Sequence, residues 1–261
     1  MKKLPFILSF LLCVQLGIAQ SVKNSLSEQH LKGRVKRIET GLFDGNPVDG
    51  KIDTLAPHTT FIDLFDEKGN ETEDSYFGKD GLMISKWVKK YNGKNEETEE
   101  DHFTKDGSLE STIFFKYDER GNQVESNSNS IADKTSDKSL YKYDDKNNMV
   151  EADVFYRGDT LRYRNIYKYD DKGNKVEMDY WRAKEDTMRV KWTFSCNDAG
   201  DEAQRRRYTP NGVMDAENNF TYENFDWVGN WQKKNSAGNW HNRQGAKISS
   251  YSVTVRKIYY Y

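Results

Sequence analysis

Glutamates recur at one position of a repeating pattern and could supply the acid and base of a hydrolase. They stand 26 residues apart, at Glu73, Glu99, Glu125, Glu151 and Glu177. Two carboxylates flanking a glycosidic bond are the machinery of most glycoside hydrolases. The same carboxylate in every unit is instead typical of a patterned surface, and the chain has neither a nucleophile elbow nor a phosphate-binding glycine loop. We therefore predict that the protein is not an enzyme, and keep a glycan-active hydrolase as an alternative.

The histidines and the acidic turns do not form a recognisable metal motif. His30, His58, His102 and His241 lie far apart and lack the spacing of metal ligands. Turns such as residues 170–174 (Asp-Asp-Lys-Gly-Asn) resemble calcium loops superficially, but they lack the spaced acidic residues and the distal glutamate that Ca²⁺ needs. Asp at the start and Gly near the end are typical of a tight turn. We predict turns at these places, and neither a metal nor a cofactor.

Three tryptophans are the residues that we expect to contact a ligand. Trp227, Trp231 and Trp240 lie in a C-terminal part whose repeat is irregular, so packing of the repeats does not account for them. The regular columns of Tyr, Phe and Trp are interpreted as core. Cys196 stands where other units have Tyr, and we interpret it as a small core residue and not a reactive thiol.

An aromatic residue followed by a polar turn organises the chain. The pattern recurs every 26 residues, at Phe65, Tyr91, Tyr117, Tyr143 and Tyr169, with degenerate copies at Cys196 and Phe225. A fixed period of this length indicates a repeat architecture. A second turn follows a second aromatic column, and the two turns alternate every 12 to 14 residues. Because short loops force neighbouring strands to be antiparallel, each unit is predicted to be a β-hairpin.

Alternation within each predicted strand gives the sheet two different faces. Tyr167 and Val176 belong to columns that share one face, whereas Lys168 and Glu177 belong to columns on the other. A four-residue loop would place Val176 opposite Tyr167. The predicted fold class is all-β, an antiparallel meander of repeated β-hairpins in an extended or curled single sheet. The pattern leaves open whether that sheet is open, rolled or sandwiched.

The N-terminus has the features of a secretory signal. Lys2 and Lys3 precede an apolar stretch, and small residues end it at Gly17-Ile18-Ala19. Removal of this segment changes the formal charge of the chain from −2 to −4, which gives no electrostatic footprint for nucleic acid. We divide the chain into a signal peptide (1–19), an N-terminal segment with a first strand and a long loop (20–58), a repeat array (59–225) and an irregular C-terminal cap (226–261).

The repeated Tyr-Asp-x-x-Gly-Asn core resembles the YD-repeat, or RHS-repeat, family. Five clear copies cover residues 59–225 approximately, and the period of 26 residues accords with the family. The opening residues 31–35 and the ending residues 255–258 look like those of small exported YD-repeat proteins of Bacteroidetes-type bacteria. In large members, the resemblance implies a β-shell that encloses a toxin. This chain is too short for a large shell and carries no toxin segment, so that role is not carried over.

We predict an exported, non-catalytic repeat protein that acts as a binding or structural scaffold in the cell envelope, in the periplasm, at the cell surface or secreted. The alternative is a glycan-binding surface protein. The expected partner is a protein or glycan of the envelope, and not nucleic acid. An outer-membrane barrel is disfavoured because charged residues interrupt most strands, and a lipid-facing barrel needs an apolar band. We expect no membrane-spanning part after the signal is cleaved.

Overall fold

The computed structural model describes residues 24–46, 49, 51–52, 56–132, 134–185, 187–241 and 245–261. The predicted signal peptide lies outside these residues. Within these residues, one short helix, α1 (Ser25–Glu28), precedes sixteen β-strands, and a single 3-10 turn covers Ala183–Glu185. Among the described residues, no helix is long and apolar enough to cross a membrane.

The strands follow one another at short intervals along the whole described chain. They are β1 (Val35–Gly45), β2 (Thr59–Phe65), β3 (Glu71–Gly78), β4 (Met83–Tyr91), β5 (Glu97–Thr104), β6 (Leu109–Tyr117), β7 (Gln123–Ser130), β8 (Ser136–Tyr143), β9 (Met149–Tyr156), β10 (Thr160–Tyr169), β11 (Lys175–Arg182), β12 (Thr187–Cys196), β13 (Glu202–Tyr208), β14 (Met214–Phe225), β15 (Trp231–His241) and β16 (Lys247–Tyr260). Each strand pairs antiparallel with the next, as the hairpin pattern predicts.

The sheet curls until it closes, so the curled form of the predicted single sheet is the one observed and the extended form is wrong. β1 pairs antiparallel with β16, with Ile38 opposite Ile258 and Glu39 opposite Lys257. The meander therefore becomes a sixteen-stranded barrel. Closure supplies partners for the N–H and C=O groups that an edge strand would leave unpaired. Residues 226–261, expected as a cap, form a turn and the barrel strands β15 and β16; the division into domains itself stays a prediction.

The acidic turns are hairpin corners held by a fixed set of hydrogen bonds. The Gly173 N–H donates to the Asp170 carbonyl at 3.1 Å. The Asp170 carboxylate accepts from the backbone N–H groups of Lys172 and Asn174 and from the Asn174 side chain, each at 2.9 Å. Gly173 has a φ of 85°, and Asn147 takes the same place in its own turn with a φ of 63°. The predicted turn chemistry is confirmed at these positions.

The two faces also agree with the columns, but the register differs by a bulge. Lys168 lies opposite Glu177 and Tyr167 lies opposite Met178, with a register shift next to Tyr169. Val176 is therefore the extra residue of a β-bulge and not the partner of Tyr167. A bulge inserts one residue without changing which columns share a face beyond it, so the predicted faces survive although the predicted pairing of Val176 is wrong.

The face that carries the Tyr column lines the inside of the barrel. Lys116, Lys142 and Lys168, on the other face, have 66%, 66% and 62% of their side chains exposed. Lys89, on the Tyr face, is only 19% exposed. Leu26 of α1 packs on the Tyr face, against Ile38 and Phe65 among others. Since the concave side of a closed sheet is enclosed by its own wall, we assign the Tyr face to the lumen and the Lys and Glu columns to the outside.

Candidate functional site in the barrel lumen

The lumen wall combines aromatic rings with small polar side chains. Facing pairs across neighbouring strands run from Phe61 and Tyr76 to Tyr141 and Ala152 and on to Phe220 and Ser236. Among the described strands, the extensive contacts run between neighbours in the sheet. A barrel of sixteen strands is wide enough to leave a water-filled channel, so we infer that the rings face an open interior. The aromatic columns that the sequence assigned to a packed core are the wall of this lumen.

The anchor tyrosines hold the turn end of the lumen wall by their hydroxyl groups. The Tyr91 hydroxyl donates to the Glu71 carbonyl at 2.7 Å, and the Tyr169 hydroxyl donates to the Met149 carbonyl at 2.8 Å. The Tyr222 hydroxyl reaches the Glu202 carbonyl in the same way, at 2.8 Å. Each acceptor is the first residue after the preceding turn. The repeated tyrosine thus links consecutive hairpins as well as lining the lumen.

The segment before β1 crosses the end of the barrel where these turns lie. The Leu26 N–H donates to the Gly69 carbonyl at 3.2 Å. The Ser25 hydroxyl accepts from the Glu71 N–H at 2.9 Å, and the Lys32 N–H donates to Asn230 Oδ1 at 2.8 Å. The segment therefore joins the β2–β3 turn to the β14–β15 turn and covers part of this opening.

One side of the lumen, on β2 to β5, is acidic. The carboxylate oxygens of Asp63, Glu71 and Asp74 lie within 4.8 Å of one another. Lys89 Nζ pairs with Glu71 at 3.0 Å and with Glu100 at 3.7 Å. Burial, followed by the charges of Glu71 and Asp74, raises the pKa of Asp63 to about 7. The sequence pattern does not reveal this group because its members come from two strands and share no motif.

The part of the wall on β11 to β16 carries cations, and its last strand is separated from the acidic β2 by β1 alone. Burial lowers the pKa of Lys175 and of Lys234. Burial also lowers the pKa of Arg256 to about 10. Because loss of water disfavours the charged form of a base, these shifts mark cations that lie in a poorly hydrated place. The lumen is therefore negative along one part of its wall and positive along another.

The three predicted tryptophans do not form one cluster. Trp227 is 82% exposed at the tip of its turn. Its ring packs edge-on against that of Tyr260, with the two centroids 5.4 Å apart. Trp231 lies at the start of β15, below the Arg256 guanidinium at 3.7 Å. Trp240 lies near the far end of β15, opposite Ala216 and Ile248, and is 39% exposed. Trp231 and Trp240 are therefore about 30 Å apart along the strand. Their contact with a ligand stays a prediction.

The other candidate residues are also dispersed. The glutamate column lies outside and is bound by lysines, as in the pairs of Glu125 with Lys116 at 2.7 Å and Glu151 with Lys142 at 2.6 Å. His102 stacks on Trp87 in the lumen, with the two rings 4.3 Å apart. Burial raises the pKa of the Cys196 thiol, which is the opposite of what activates a nucleophile.

Comparisons with known proteins support the barrel fold. No protein-family model matches the chain, and no curated protein matches it. Among solved structures, a porin-like protein from Bacteroides uniformis is 10% identical, with a TM-score of 0.59 over 86% of this chain and 98% of that one. The crystal structure of TcdB2-TccC3 is 10% identical, with a TM-score of 0.32 over 77% of this chain and 15% of that one. At 10% identity, the similarity to the porin-like protein shows the fold alone. The TM-score of the second match is too low to support a conclusion, and the resemblance to YD-repeat sequences stays a prediction.

Proposed function

We propose that this protein is an exported, non-catalytic binding protein of the cell envelope that takes its ligand into the barrel lumen. The main support is the difference in side-chain composition between the outer and inner faces of the barrel wall. The outer face repeats Lys–Glu pairs such as Lys168 with Glu177 at 2.5 Å. The inner face presents rings and small polar groups to an open interior. Exposed ion pairs contribute little to stability, so the outer face suits contact with water, and the inner face suits a ligand.

A glycan is the ligand class that the lumen favours. Sugars have apolar C–H faces and hydroxyl edges, so they need aromatic surface and hydrogen-bonding groups together. Trp192 and Tyr180 supply rings on the inner face, and Ser250 and Ser252 supply hydroxyl groups there, opposite Gly238 and Ser236. This proposal makes the alternative of a glycan-binding protein, stated from the sequence, the leading one.

The charged outer face also supports a barrel that is not embedded in lipid. A transmembrane barrel presents a continuous apolar band to the acyl chains. Here Lys142 and Glu151 face outward on β8 and β9, and Lys116 and Glu125 do so on β6 and β7. A lysine near the middle of a lipid face would cost about 2–4 kcal/mol, and a glutamate somewhat less.

Titration of the protein with a panel of neutral and acidic oligosaccharides tests the proposal. Trp192→Ala removes a lumen ring, and Trp181→Ala removes a ring from the outer face as the matched control. We expect calorimetry to show binding that weakens in Trp192→Ala and stays unchanged in Trp181→Ala. Binding that depends on Trp181 and not on Trp192 would place the ligand outside the barrel, and an absence of binding across the panel would reject a glycan ligand.

The acidic group of the lumen supports a hydrolase as a second candidate. Asp63 lies opposite Asp74, and a carboxylic acid whose pKa is raised to about 7 remains partly protonated at neutral pH. A carboxylic acid that is partly protonated near neutral pH can donate a proton to a leaving group, as the general acid of a glycoside hydrolase does. Release of reducing sugar from the same oligosaccharides, lost in Asp63→Asn, would favour this candidate over simple binding.

A further inference from the structure

We propose that the basic side of the lumen is a binding site for an acidic glycan, built from alternating cations and aromatic rings. The inference rests on the proposed function and specifies its ligand. The site, here called the cation–aromatic ladder, comprises four cations and four rings: Lys175, Arg205, Lys234 and Arg256 with Tyr167, Phe194, Phe220 and Trp231.

The ladder is continuous from β10 to β16. Lys175 Nζ lies 5.7 Å from the Tyr167 ring centroid and 4.8 Å from that of Phe194. The Arg205 guanidinium lies 5.8 Å from Phe194 and 5.7 Å from Phe220. The next cation along the wall therefore shares a ring with the one before it.

The second half of the ladder continues in the same manner. Lys234 Nζ lies 5.5 Å from the Phe220 centroid and 5.7 Å from that of Trp231. The Arg256 guanidinium lies 3.7 Å from Trp231. Trp231 is the first residue after its turn, which is the place that Lys175 takes in the preceding regular unit. A register shift places Lys175 opposite Tyr169, whereas Trp231 lies opposite Phe225 in an unshifted register and packs against the Tyr222 ring, with the centroids 5.4 Å apart.

Three cations of the ladder have no carboxylate partner. Within the described part of the chain, neither Lys175 nor Lys234 nor Arg256 makes an ion pair within 4.0 Å. Arg256 Nε is buried and lacks a hydrogen-bond partner. Arg205 differs, since Glu202 holds it by two bonds of 2.6 and 2.7 Å. These three cations are thus partly removed from water and are not neutralised by an ion pair with a carboxylate.

An anion supplied by a ligand would satisfy these cations. The carboxylates that act on them from nearby are Asp201, Glu202 and Asp63, and burial nevertheless lowers the pKa of Arg256 and Lys234. An anionic group would offset the desolvation of the bases. A neutral sugar could stack on the rings but would leave the bases without partners.

The spacing of the ladder suits an extended chain of charged sugar rings. Lys175, Arg205 and Lys234 lie on β11, β13 and β15, so successive cations are about 10 Å apart. The intervening rings offer apolar edges against which the C–H groups of a sugar can pack, and Asn218 and Ser236, beside Arg205 and Phe220, offer hydrogen bonds to hydroxyl groups. Single-stranded nucleic acid also uses cations and rings, but the acidic chain lacks the outer basic surface that would attract it.

The test compares a hexamer of galacturonate with maltohexaose of equal length, using calorimetry on the purified protein. Lys234→Gln removes a ladder charge, and Lys233→Gln removes the adjacent charge, which faces outward and pairs with Glu223 at 2.9 Å. We expect the acidic hexamer to bind more tightly than the neutral one. Lys234→Gln should weaken that binding about tenfold, as loss of one charge-assisted contact does, and Lys233→Gln should leave it unchanged.

The outcomes separate this inference from the proposed function. Equal binding of the two hexamers, with the Trp192→Ala loss retained, would overturn the ladder and keep the lumen as a glycan site. Equal effects of Lys233→Gln and Lys234→Gln would show that affinity depends on the net charge of the protein and not on the position of the lysine. That result would also overturn the ladder. Binding of neither hexamer would overturn the ladder, and the proposed function would then be decided by the oligosaccharide panel described above. Oligothymidylate that binds more tightly than galacturonate, through Lys234, would reassign the ladder to nucleic acid.

Discussion

Single hydroxyl groups connect the hairpins of the wall, and Tyr169 is the clearest case. Its hydroxyl donates to the Met149 carbonyl at 2.8 Å, and burial raises its pKa, as expected for a phenol removed from water. Tyr169→Phe should lower the free energy of unfolding by about 1 kcal/mol, because one hydrogen bond is lost and a carbonyl is left unpaired. Urea denaturation measures the change.

Tyr156→Phe is the matched control for that substitution. Tyr156 is 38% exposed. Its ring contacts Arg157 and Arg162, and its hydroxyl makes no hydrogen bond within the described part of the chain. Its loss should leave stability nearly unchanged. An equal effect of the two substitutions would show that the Tyr hydroxyl does not connect the hairpins.

Asp63 should make the stability of the barrel depend on pH. Burial raises its pKa from 3.8 to about 7, so the folded protein holds a proton that the unfolded chain loses at lower pH. The contribution of protonated Asp63 to the free energy of unfolding is therefore fully present below about pH 4 and is lost as the pH rises through 7. Urea midpoints measure the stability of Asp63→Asn relative to the wild type. This difference should favour the variant more strongly at pH 8 than at pH 5. Asp171→Asn, on an exposed turn, should follow the wild type; a profile for Asp63→Asn that matches the wild type at both pH values would contradict the assignment.

At this scale the sequence predicts residue roles only in part. The turn roles of Asp170 and Gly173 follow from local chemistry, so a single stretch of the sequence is enough to predict them. The Asp63, Glu71 and Asp74 group depends on which strands become neighbours, and its members have no common spacing. The same holds for the ladder, since Lys175 and Phe194 meet only because β11 and β12 pair.

Among the elements, the hairpin turn carries the strictest backbone requirement. Gly173 has a φ of 85°, and an added Cβ would meet only Asn148 Oδ1, at 3.8 Å. Gly173→Ala should therefore cost about 1–2 kcal/mol through backbone strain and not through a clash. Gly173→Asn should cost less, because Asn147 already adopts this conformation in the preceding turn. Thermal or urea unfolding of the two variants gives the comparison.

Gly93 supplies the control for the turn. It is not among the glycines of positive φ, and a Cβ there would meet nothing within 4 Å. Gly93→Ala should be neutral or slightly stabilising, since Ala narrows the unfolded ensemble. If Gly93→Ala and Gly173→Ala cost the same, the left-handed residue would not be what shapes the turn.

The elements themselves were predictable where the repeat is regular. Antiparallel hairpins over 59–225 follow from the alternation of turns and from the 26-residue period. The bulge beside Tyr169 was not predictable, because a four-residue loop and a bulged loop place the same columns on the same faces. In the C-terminal part, longer spacing hid β15, whose pairing resembles that of the regular strands.

For the whole molecule, the closed barrel changes the meaning of the aromatic columns. Sequence alternation separates an aromatic face from a charged face but contains no information about curvature. Pairing of Ile38 with Ile258 joins residues far apart in sequence, and no local pattern signals it. The prediction of a packed aromatic core therefore becomes a lumen wall, and the search for a ligand moves from the irregular loops to the interior.

One measurement tests the central claim that a closed barrel separates an inner from an outer face. Ser236 faces the lumen, opposite Phe220, and its neighbour Ala237 faces outward, opposite Asn219. Each is changed to Cys in a background in which Cys13 and Cys196 are Ser. Both cysteines should react with a small maleimide, but only Ala237→Cys should react rapidly with a maleimide carrying a 5-kDa polyethylene glycol, because the wall excludes a large polymer. Equal rapid labelling of both cysteines by the polymer would show an open sheet and contradict the account.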